Sequence, residues 1–190
     1  MNRLRVTTFL SAALALALPS LASAQGKPTA YVVSGPEEGQ RAPNFSLPWA
    51  TKDTIGVELF EFWKTRGKPV VLAFYPRDFT QGCTAEWQTF TEQADSLFGP
   101  DVVVLGVSAD SVETHHRFAQ SLNAPFVFLS DTNQAVAKTF GSRSNNPGYN
   151  RRTVYVIGKD GKVRYRDLKF NALDSKSYAQ LRAAVQDARK

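Results

Sequence analysis

The chain has 190 residues, of which 43% are hydrophobic and 12% aromatic, as is typical of one globular domain with a buried core. The residues that give its net charge of +6 are scattered and rarely interleave with aromatic residues, which argues against a nucleic-acid-binding protein. The sequence contains no repeat, no low-complexity tract and no internal domain boundary.

Residues 1–24 have the features of a secretory signal peptide. Two arginines near the start form a positive n-region, and the apolar stretch at 6–18 is too short to cross a bilayer comfortably. A cleavage site of the A-x-A type ends at Ala24. The alternative is an uncleaved anchor helix, which is disfavoured because polar residues follow the apolar stretch so soon. We therefore expect an exported protein, periplasmic or secreted, with no membrane segment after cleavage.

The mature chain is predicted to begin with an irregular leader at 25–35, including a short strand at 31–33, before a single domain at 36–190. Prolines favour extended chain at 39–48. The segment at 57–63 mixes acidic and apolar residues and fits either a short strand or a turn of helix.

The middle of the chain alternates apolar strands with amphipathic helices. Strands are predicted at 70–75, 102–107 and 126–129, because nearly all their residues are apolar, as in strands buried on both faces. Helices are predicted from their apolar periodicity and capping residues at 84–97, 110–122 and 132–140. Trp87 and Phe90 belong to the apolar face of the first helix and are expected in the core. The second helix is expected to begin at Asp110, since Glu113 follows three residues later.

The last part of the domain is predicted to hold a polar loop, a hairpin and a final helix. The loop covers 142–150, and strands at 153–157 and 163–168 flank an Asp-Gly turn. The final helix is expected at 175–189. Strands alternating with helices predict a three-layer α/β sandwich.

Cys83 is the only cysteine in the sequence, and it lies where an apolar strand gives way to a helix. In an oxidising compartment such a residue is a buried inert thiol, an intermolecular link or a reactive thiol. Three features would favour its thiolate: the free N–H groups of a helix start, the hydroxyl of Thr80, and a guanidinium from elsewhere in the chain. Pro76 is expected to end the strand, because it fixes φ and lacks an N–H.

The pattern Pro76-x-x-x-Thr80-x-x-Cys83 resembles the active-site motif of the peroxiredoxins. The surrounding Phe74-Tyr75-Pro76 and Gly82-Cys83-Thr84-x-Glu86 are similar to the bacterioferritin-comigratory (PrxQ) type in particular. Further parts of the chain that resemble this domain are 39–47, 106–110, Phe118, 125–131 and 152–157. The resemblance as a whole covers roughly 36–187.

The resemblance implies a thioredoxin-like α/β sandwich with a central mixed sheet, and an enzyme that reduces hydrogen peroxide or organic hydroperoxides. Cys83 would be the peroxidatic cysteine, which becomes a sulfenic acid, and Thr80 would hydrogen-bond the thiolate and the peroxide. Arg152 would stabilise the thiolate and the departing oxygen anion. The alternative is Arg151, which would face the other side of a strand. Pro76 would shield the sulfenate from further oxidation.

One departure from this type concerns the second cysteine. Many members carry a resolving cysteine five residues after the first, where this chain has Gln88. The departure implies a one-cysteine mechanism in which an external thiol or a thioredoxin-like protein is the reductant, without cofactor or metal. A Cys83–Cys83 link between chains is a second possibility, and the protein is expected to be a monomer or a homodimer.

Other readings of the same residues are weaker. His115 and His116 are adjacent on a helix and do not converge on a metal as an i, i+4 pair does, so surface or helix-packing roles are expected. Cys83 with a histidine would suggest a cysteine hydrolase, but the peroxiredoxin motif explains Cys83 without a base. The remaining alternative is a non-catalytic binding or chaperone-like module of the same fold with an inert Cys83.

Overall fold

A computed structural model of the protein describes residues 35–190. The predicted signal peptide, the short strand at 31–33 and nearly all of the predicted leader lie outside the described residues. Among residues 35–190, no helix combines the length and the apolar character needed to cross a bilayer.

Eight strands, five α-helices and one turn of 3-10 helix form within residues 35–190. The strands are β1 (Ser46–Leu47), β2 (Trp49–Ala50), β3 (Phe60–Glu61), β4 (Val70–Phe74), β5 (Val103–Ser108), β6 (Val127–Ser130), β7 (Thr153–Ile157) and β8 (Val163–Asp167). The α-helices are α1 (Gln81–Glu92), α2 (Ala94–Leu97), α3 (Val112–Ser121), α4 (Ala135–Thr139) and α5 (Ser175–Ala188), and the 3-10 turn spans Phe62–Thr65.

Six of these strands form one sheet in the order β2-β6-β5-β4-β7-β8, and β1 pairs separately with β3. Strands β4, β5 and β6 are parallel to one another, whereas β2, β7 and β8 run antiparallel to their neighbours. The central β4 is buried along its whole length, as its apolar sequence predicts. The predicted mixed sheet is confirmed.

The sheet separates two apolar cores, because alternate residues of a strand point to opposite faces. Val71, Ala73 and Tyr75 contribute to a core that also contains side chains of α1, α2, α3 and α5. Leu72 and Phe74 contribute to the other core, with side chains of α4 and the 3-10 turn. The sheet therefore lies between two covering layers, which gives the predicted three-layer sandwich.

The helix that carries Cys83 differs from its prediction at both ends. It begins at Gln81 rather than at residue 84, because Thr80 has extended backbone angles (φ −81°, ψ 147°) and occupies the N-cap position. It also ends early, since Gln93 leaves the helical region and separates α1 from α2. Cys83 is therefore the third residue of α1 and lies inside its first turn.

The start of α3 was also wrongly predicted. The N-cap residue is Ser111, whose side chain accepts a hydrogen bond from the Thr114 N–H at 3.4 Å. The Asp110 carboxylate instead accepts hydrogen bonds from the Ser108 hydroxyl (2.6 Å) and the Asp78 N–H (2.9 Å). Both residues are good N-caps, and the tertiary partners of Asp110 decide between them.

The remaining differences are small. The short edge strand β2 was not predicted, and it pairs with β6 with Trp49 opposite Leu129. The helix predicted at 132–140 is shorter because Gln134 adopts a left-handed conformation (φ 56°) before α4. The predicted hairpin is confirmed, with β7 and β8 joined by a turn in which Gly161 has φ 77°.

Trp87 fixes the position of α1 on the sheet. Its ring is fully buried and contacts the rings of Phe90 and Phe128, as predicted for a core residue. The ring also lies against Gly106 of β5, where an added Cβ would come within 2.6 Å of it. Glycine at this position lets the helix approach closely, which sets the first turn of α1 at the carboxyl end of β4.

Candidate active site

The thiol of Cys83 lies at the amino-terminal end of α1. The first helical hydrogen bond runs from the Thr84 N–H to the Thr80 carbonyl at 2.8 Å. The N–H groups of the three residues before Thr84 therefore have no acceptor within the helix. These free N–H groups and the helix dipole favour an anion at this end. Cys83 itself is buried, with 1% of its surface exposed.

Arg152 reaches the thiol from the neighbouring strand. It directly precedes β7, which is antiparallel to β4 with Thr153 opposite Phe74. This register places Arg152 at the edge of the sheet where β4 ends and the loop to α1 begins. Its Nη2 donates to Cys83 Sγ at 3.4 Å. A cation is thus held beside the sulfur, which favours the thiolate electrostatically.

The neighbouring Arg151 points elsewhere. Its Nη2 donates to the carbonyl of Gly141, and its own N–H donates to the carbonyl of Ser142 at 2.6 Å. These contacts tie the chain before β7 to the segment after α4. Of the two arginines considered from the sequence, only Arg152 is hydrogen-bonded to Cys83.

Glu86 is a member of the site for which the sequence suggested no role. Its carboxylate forms an ion pair with Arg152 Nη1 and is fully buried. The other carboxylate oxygen, Oε1, has no hydrogen-bond partner among residues 35–190. Glu86 lies three residues after Cys83, so the two share a face of α1. This spacing is the signal that could have identified Glu86 as the residue that orients Arg152.

Thr80 and Pro76 lie in the loop that connects β4 to α1. The Thr80 hydroxyl donates to the Arg77 carbonyl at 3.1 Å, and this bond leaves its lone pairs free to accept a hydrogen bond. The predicted hydrogen bond between Thr80 and Cys83 is absent from the described residues. Pro76 is half-buried and lies two residues after Phe74, where β4 ends, so the strand stops one residue earlier than predicted.

The two histidines occupy different environments. His115 is fully buried, and its ring contacts Asp78 and Leu129 of neighbouring segments. His116 is half-buried, with Nδ1 2.7 Å from the Thr51 carbonyl. Neither lies in a group of three or more His, Cys, Asp or Glu side chains that could bind a metal ion, since no such group occurs in the described part of the chain.

This arrangement suits one kind of chemistry. A sulfur nucleophile stands at a helix start beside a guanidinium, and the buried carboxylate holds that guanidinium in place. The site can stabilise a thiolate and also an oxygen anion that leaves next to it. Because the sulfur is almost completely covered, only a small electrophile can reach it in this conformation.

Comparisons with known proteins agree with this chemistry. Residues 38–166 match the AhpC/TSA family. The chain is 34% identical over 133 residues to the peroxiredoxin Bcp of Bacillus subtilis, a match that covers 67% of this chain and 82% of that protein. The crystal structure of the peroxidoxin BcpB of Mycobacterium tuberculosis superposes with a TM-score of 0.69 and 26% identity, covering 82% of this chain and 99% of that one.

A second solved structure shares the fold alone. The bacterioferritin comigratory protein of Xanthomonas campestris, described for its alkyl peroxide reduction activity, superposes with a TM-score of 0.63 and 24% identity. The match covers 76% of this chain and 92% of that protein.

Proposed function

The chain belongs to the AhpC/TSA family, as a thiol peroxidase of the Bcp/PrxQ type of peroxiredoxin, and we propose that it is exported and works through Cys83 alone. The observation that carries the assignment of the nucleophile is the contact of Arg152 Nη2 with Cys83 Sγ at 3.4 Å. The rival reading, a non-catalytic module with an inert thiol, offers no reason for a guanidinium held at the sulfur.

The first step oxidises the enzyme. The Cys83 thiolate attacks the terminal OH oxygen of the peroxide ROOH, an S–O bond forms, and the O–O bond breaks. The departing RO⁻ takes a proton and leaves as an alcohol, or as water from hydrogen peroxide, while Cys83 becomes a sulfenic acid. Arg152 stabilises the negative charge as it moves from sulfur to oxygen. Thr80 and Pro76 lie in the loop that leads to α1, and we assign them the positioning of the peroxide and the protection of the sulfenate.

The second step needs a thiol from another molecule. The chain has one cysteine, and position 88 holds a glutamine. An external thiol R′SH attacks the sulfenic acid, which releases water and leaves a mixed disulfide between Cys83 and R′S. A second R′SH attacks that disulfide, which restores Cys83 and releases R′SSR′. The reductant is either a small thiol or a thioredoxin-like protein.

The substrates are hydrogen peroxide and organic hydroperoxides. The alkyl peroxide reduction ascribed to the Xanthomonas campestris protein supports the second class. The signal-peptide features of residues 1–24 support export to the periplasm or beyond.

Peroxide consumption by the Cys83→Ser variant tests the proposed function. With dithiothreitol as reductant, the unaltered protein should consume hydrogen peroxide and the variant should not, because serine lacks the thiolate. Turnover retained in the variant would rule out Cys83 as the nucleophile. A Cys83 that is not converted to a sulfenic acid by peroxide would favour the non-catalytic module.

A further inference from the structure

A buried polar network lies beneath the loop that precedes the reactive cysteine. Asp78 Oδ1 accepts a hydrogen bond from the Tyr75 hydroxyl at 2.6 Å, and Asp78 Oδ2 lies 2.8 Å from His115 Nδ1. His115 Nε2 lies 3.2 Å from the carbonyl of Leu129 on β6. The side chains of Asp78 and His115 are both fully buried. None of these three side chains takes part in the chemistry proposed for Cys83.

The protons of this network follow from its partners. A carbonyl only accepts hydrogen bonds, so His115 Nε2 must carry a proton toward Leu129. His115 Nδ1 lies within hydrogen-bond distance of both Asp78 Oδ2 (2.8 Å) and the Tyr75 hydroxyl (3.3 Å). Burial raises the pKa of Tyr75 well above its usual value, and the nearby Asp78 raises it further, so the tyrosine stays protonated and donates. Every polar atom of the Asp78 carboxylate and the His115 ring is therefore satisfied, which makes the network costly to break.

The network connects the loop 76–80 to the α3 side of the domain. Asp78 is the middle residue of that loop, and its side chain binds His115 of α3. Its backbone N–H also donates to Asp110 Oδ2 at 2.9 Å, just before α3. Asp78 is therefore held at both its main chain and its side chain, five residues from Cys83.

The residue that follows Asp78 is strained. Phe79 has a φ of 56°, in the left-handed region that bulky side chains rarely adopt. Its ring is half-exposed and packs edge-on against Phe118 of α3 at 5.2 Å between ring centres. A strained backbone of this kind persists only where neighbouring contacts hold it. The hydrogen bonds of Asp78 hold the residue directly before this strained position.

The proposed reaction places two demands on this loop. A peroxide is small enough to reach a sulfur that is 1% exposed, but a protein thiol must bring its own sulfur into contact with the oxidised Cys83. The loop and the first turn of α1 must therefore move before such a reductant can act. This inference rests on the proposed function. We infer that the hydrogen-bonded side chains of Tyr75, Asp78 and His115 form a latch, which keeps the loop closed and limits reduction of Cys83 by bulky thiols.

The expected increase in the rate of reaction with bulky thiols follows from the populations of the closed and open forms of the loop. If the open form makes up about 0.1% of the molecules, a weakened latch can raise it to roughly 1–10% while the closed form still predominates. Steps that require the open form should then accelerate about tenfold or more, in proportion to its population. Oxidation by hydrogen peroxide, which uses the closed form, should change by less than about threefold.

The test uses alkylation of reduced Cys83 and needs no peroxidase activity. We would compare the rates with iodoacetamide and with a maleimide carrying a polyethylene glycol chain. The variants are Tyr75→Phe and Asp78→Asn, each of which keeps the size of the side chain. Tyr155→Phe is the matched control, because it removes another buried hydroxyl, which donates to the Phe140 carbonyl at 2.6 Å on the opposite face of the sheet.

The latch predicts that the ratio of bulky to small reagent rates rises about tenfold or more in both variants and stays unchanged in Tyr155→Phe. An unchanged ratio in the two variants, or an equal rise in the control, would overturn it. If the variants fail to fold, the latch can be tested on the unaltered protein through the urea dependence of its alkylation. Alkylation by the bulky reagent through local opening should depend on urea far less than global unfolding does, and an equal dependence would overturn the latch.

A second readout separates the latch from the proposed function. Reduction of oxidised Cys83 by reduced thioredoxin should accelerate in Tyr75→Phe, whereas reduction by dithiothreitol should change much less. A protein whose Cys83 is not oxidised by peroxide at all contradicts the proposed function, and the alkylation ratio then still decides on the latch.

Discussion

Arg152 donates a hydrogen bond to Cys83 although 69 positions separate the two residues in the sequence. The contact exists because β7 lies antiparallel beside β4, so that the residue before one strand meets the loop after the other. The same guanidinium is paired with the buried Glu86, one helical turn beyond Cys83. Cys83, Arg152 and Glu86 therefore form one connected cluster, with Arg152 at its centre.

Replacement of the two neighbouring arginines should have unequal effects. Arg152→Ala removes the cation at the thiol and should slow oxidation of Cys83 by hydrogen peroxide about 10²-fold, the usual loss for a group that stabilises a developing oxyanion. Arg151→Ala removes only the contact with Gly141 and should leave that rate nearly unchanged. Rapid-mixing fluorescence of each variant measures it. Equal effects would show that the functional arginine was wrongly assigned.

Glu86 should matter for stability more than an exposed acid on the same helix. Glu86→Gln leaves Arg152 partly buried without its counter-ion. It should lower the free energy of unfolding by about 1–3 kcal/mol, less than for a fully buried pair because Arg152 remains 17% exposed. Glu92→Gln is the control, since Glu92 is exposed on the last turn of α1. Urea unfolding of both variants gives the comparison, and equal losses would contradict a structural role for the ion pair.

The buried Asp131 should give the protein a pH-dependent stability of definite sign. Burial raises its pKa above the ordinary value of 3.8, against the hydrogen bonds that it accepts from the N–H groups of Ala137 and Val136. The folded state therefore binds a proton more tightly than the unfolded state. The stabilisation of the folded state that results from this tighter proton binding is complete below pH 3.8, and it is lost as the pH rises through the raised pKa.

Asp131→Asn removes this titration and tests its sign. The free energy of unfolding of the unaltered protein, relative to the variant, should fall as the pH increases from about 4 toward neutrality. Asp53→Asn is the control, because the Asp53 side chain is 76% exposed. Urea unfolding at several pH values measures the difference, and a relative stability that rises with pH would refute the predicted direction.

Export can be tested through the amino-terminal segment. The full chain expressed in a Gram-negative bacterium should appear in the periplasm with Gln25 as its first residue, because cleavage is predicted after Ala24. A chain lacking residues 2–24 should remain in the cytoplasm. Cell fractionation followed by mass spectrometry gives both answers, and an uncleaved chain in the membrane fraction would support the anchor helix instead.

The sequence alone was enough to predict most of the helices and strands and the part of the site that lies within one short stretch of chain. Strand β4 is apolar throughout, β5 is apolar up to its final serine, and the apolar faces of α1 and α5 repeat at helical spacing. These patterns depend only on near neighbours. Pro76, Thr80 and Cys83 lie within eight consecutive positions, so their motif was visible without a fold. Arg152 was found only through resemblance to a family, because nothing in its local sequence distinguishes it from Arg151.

The tertiary structure decided which distant groups meet. Asp110 and Ser111 are equally good caps by local chemistry, and the contact of Asp110 with the N–H of Asp78 made Ser111 the cap. The pairing of Asp78 with His115 joins a loop to a helix that follows much later in the chain. Local preferences reflect the energy of a few adjacent residues, whereas burial of these polar groups is determined by the packing of the whole domain, which no short stretch of sequence contains.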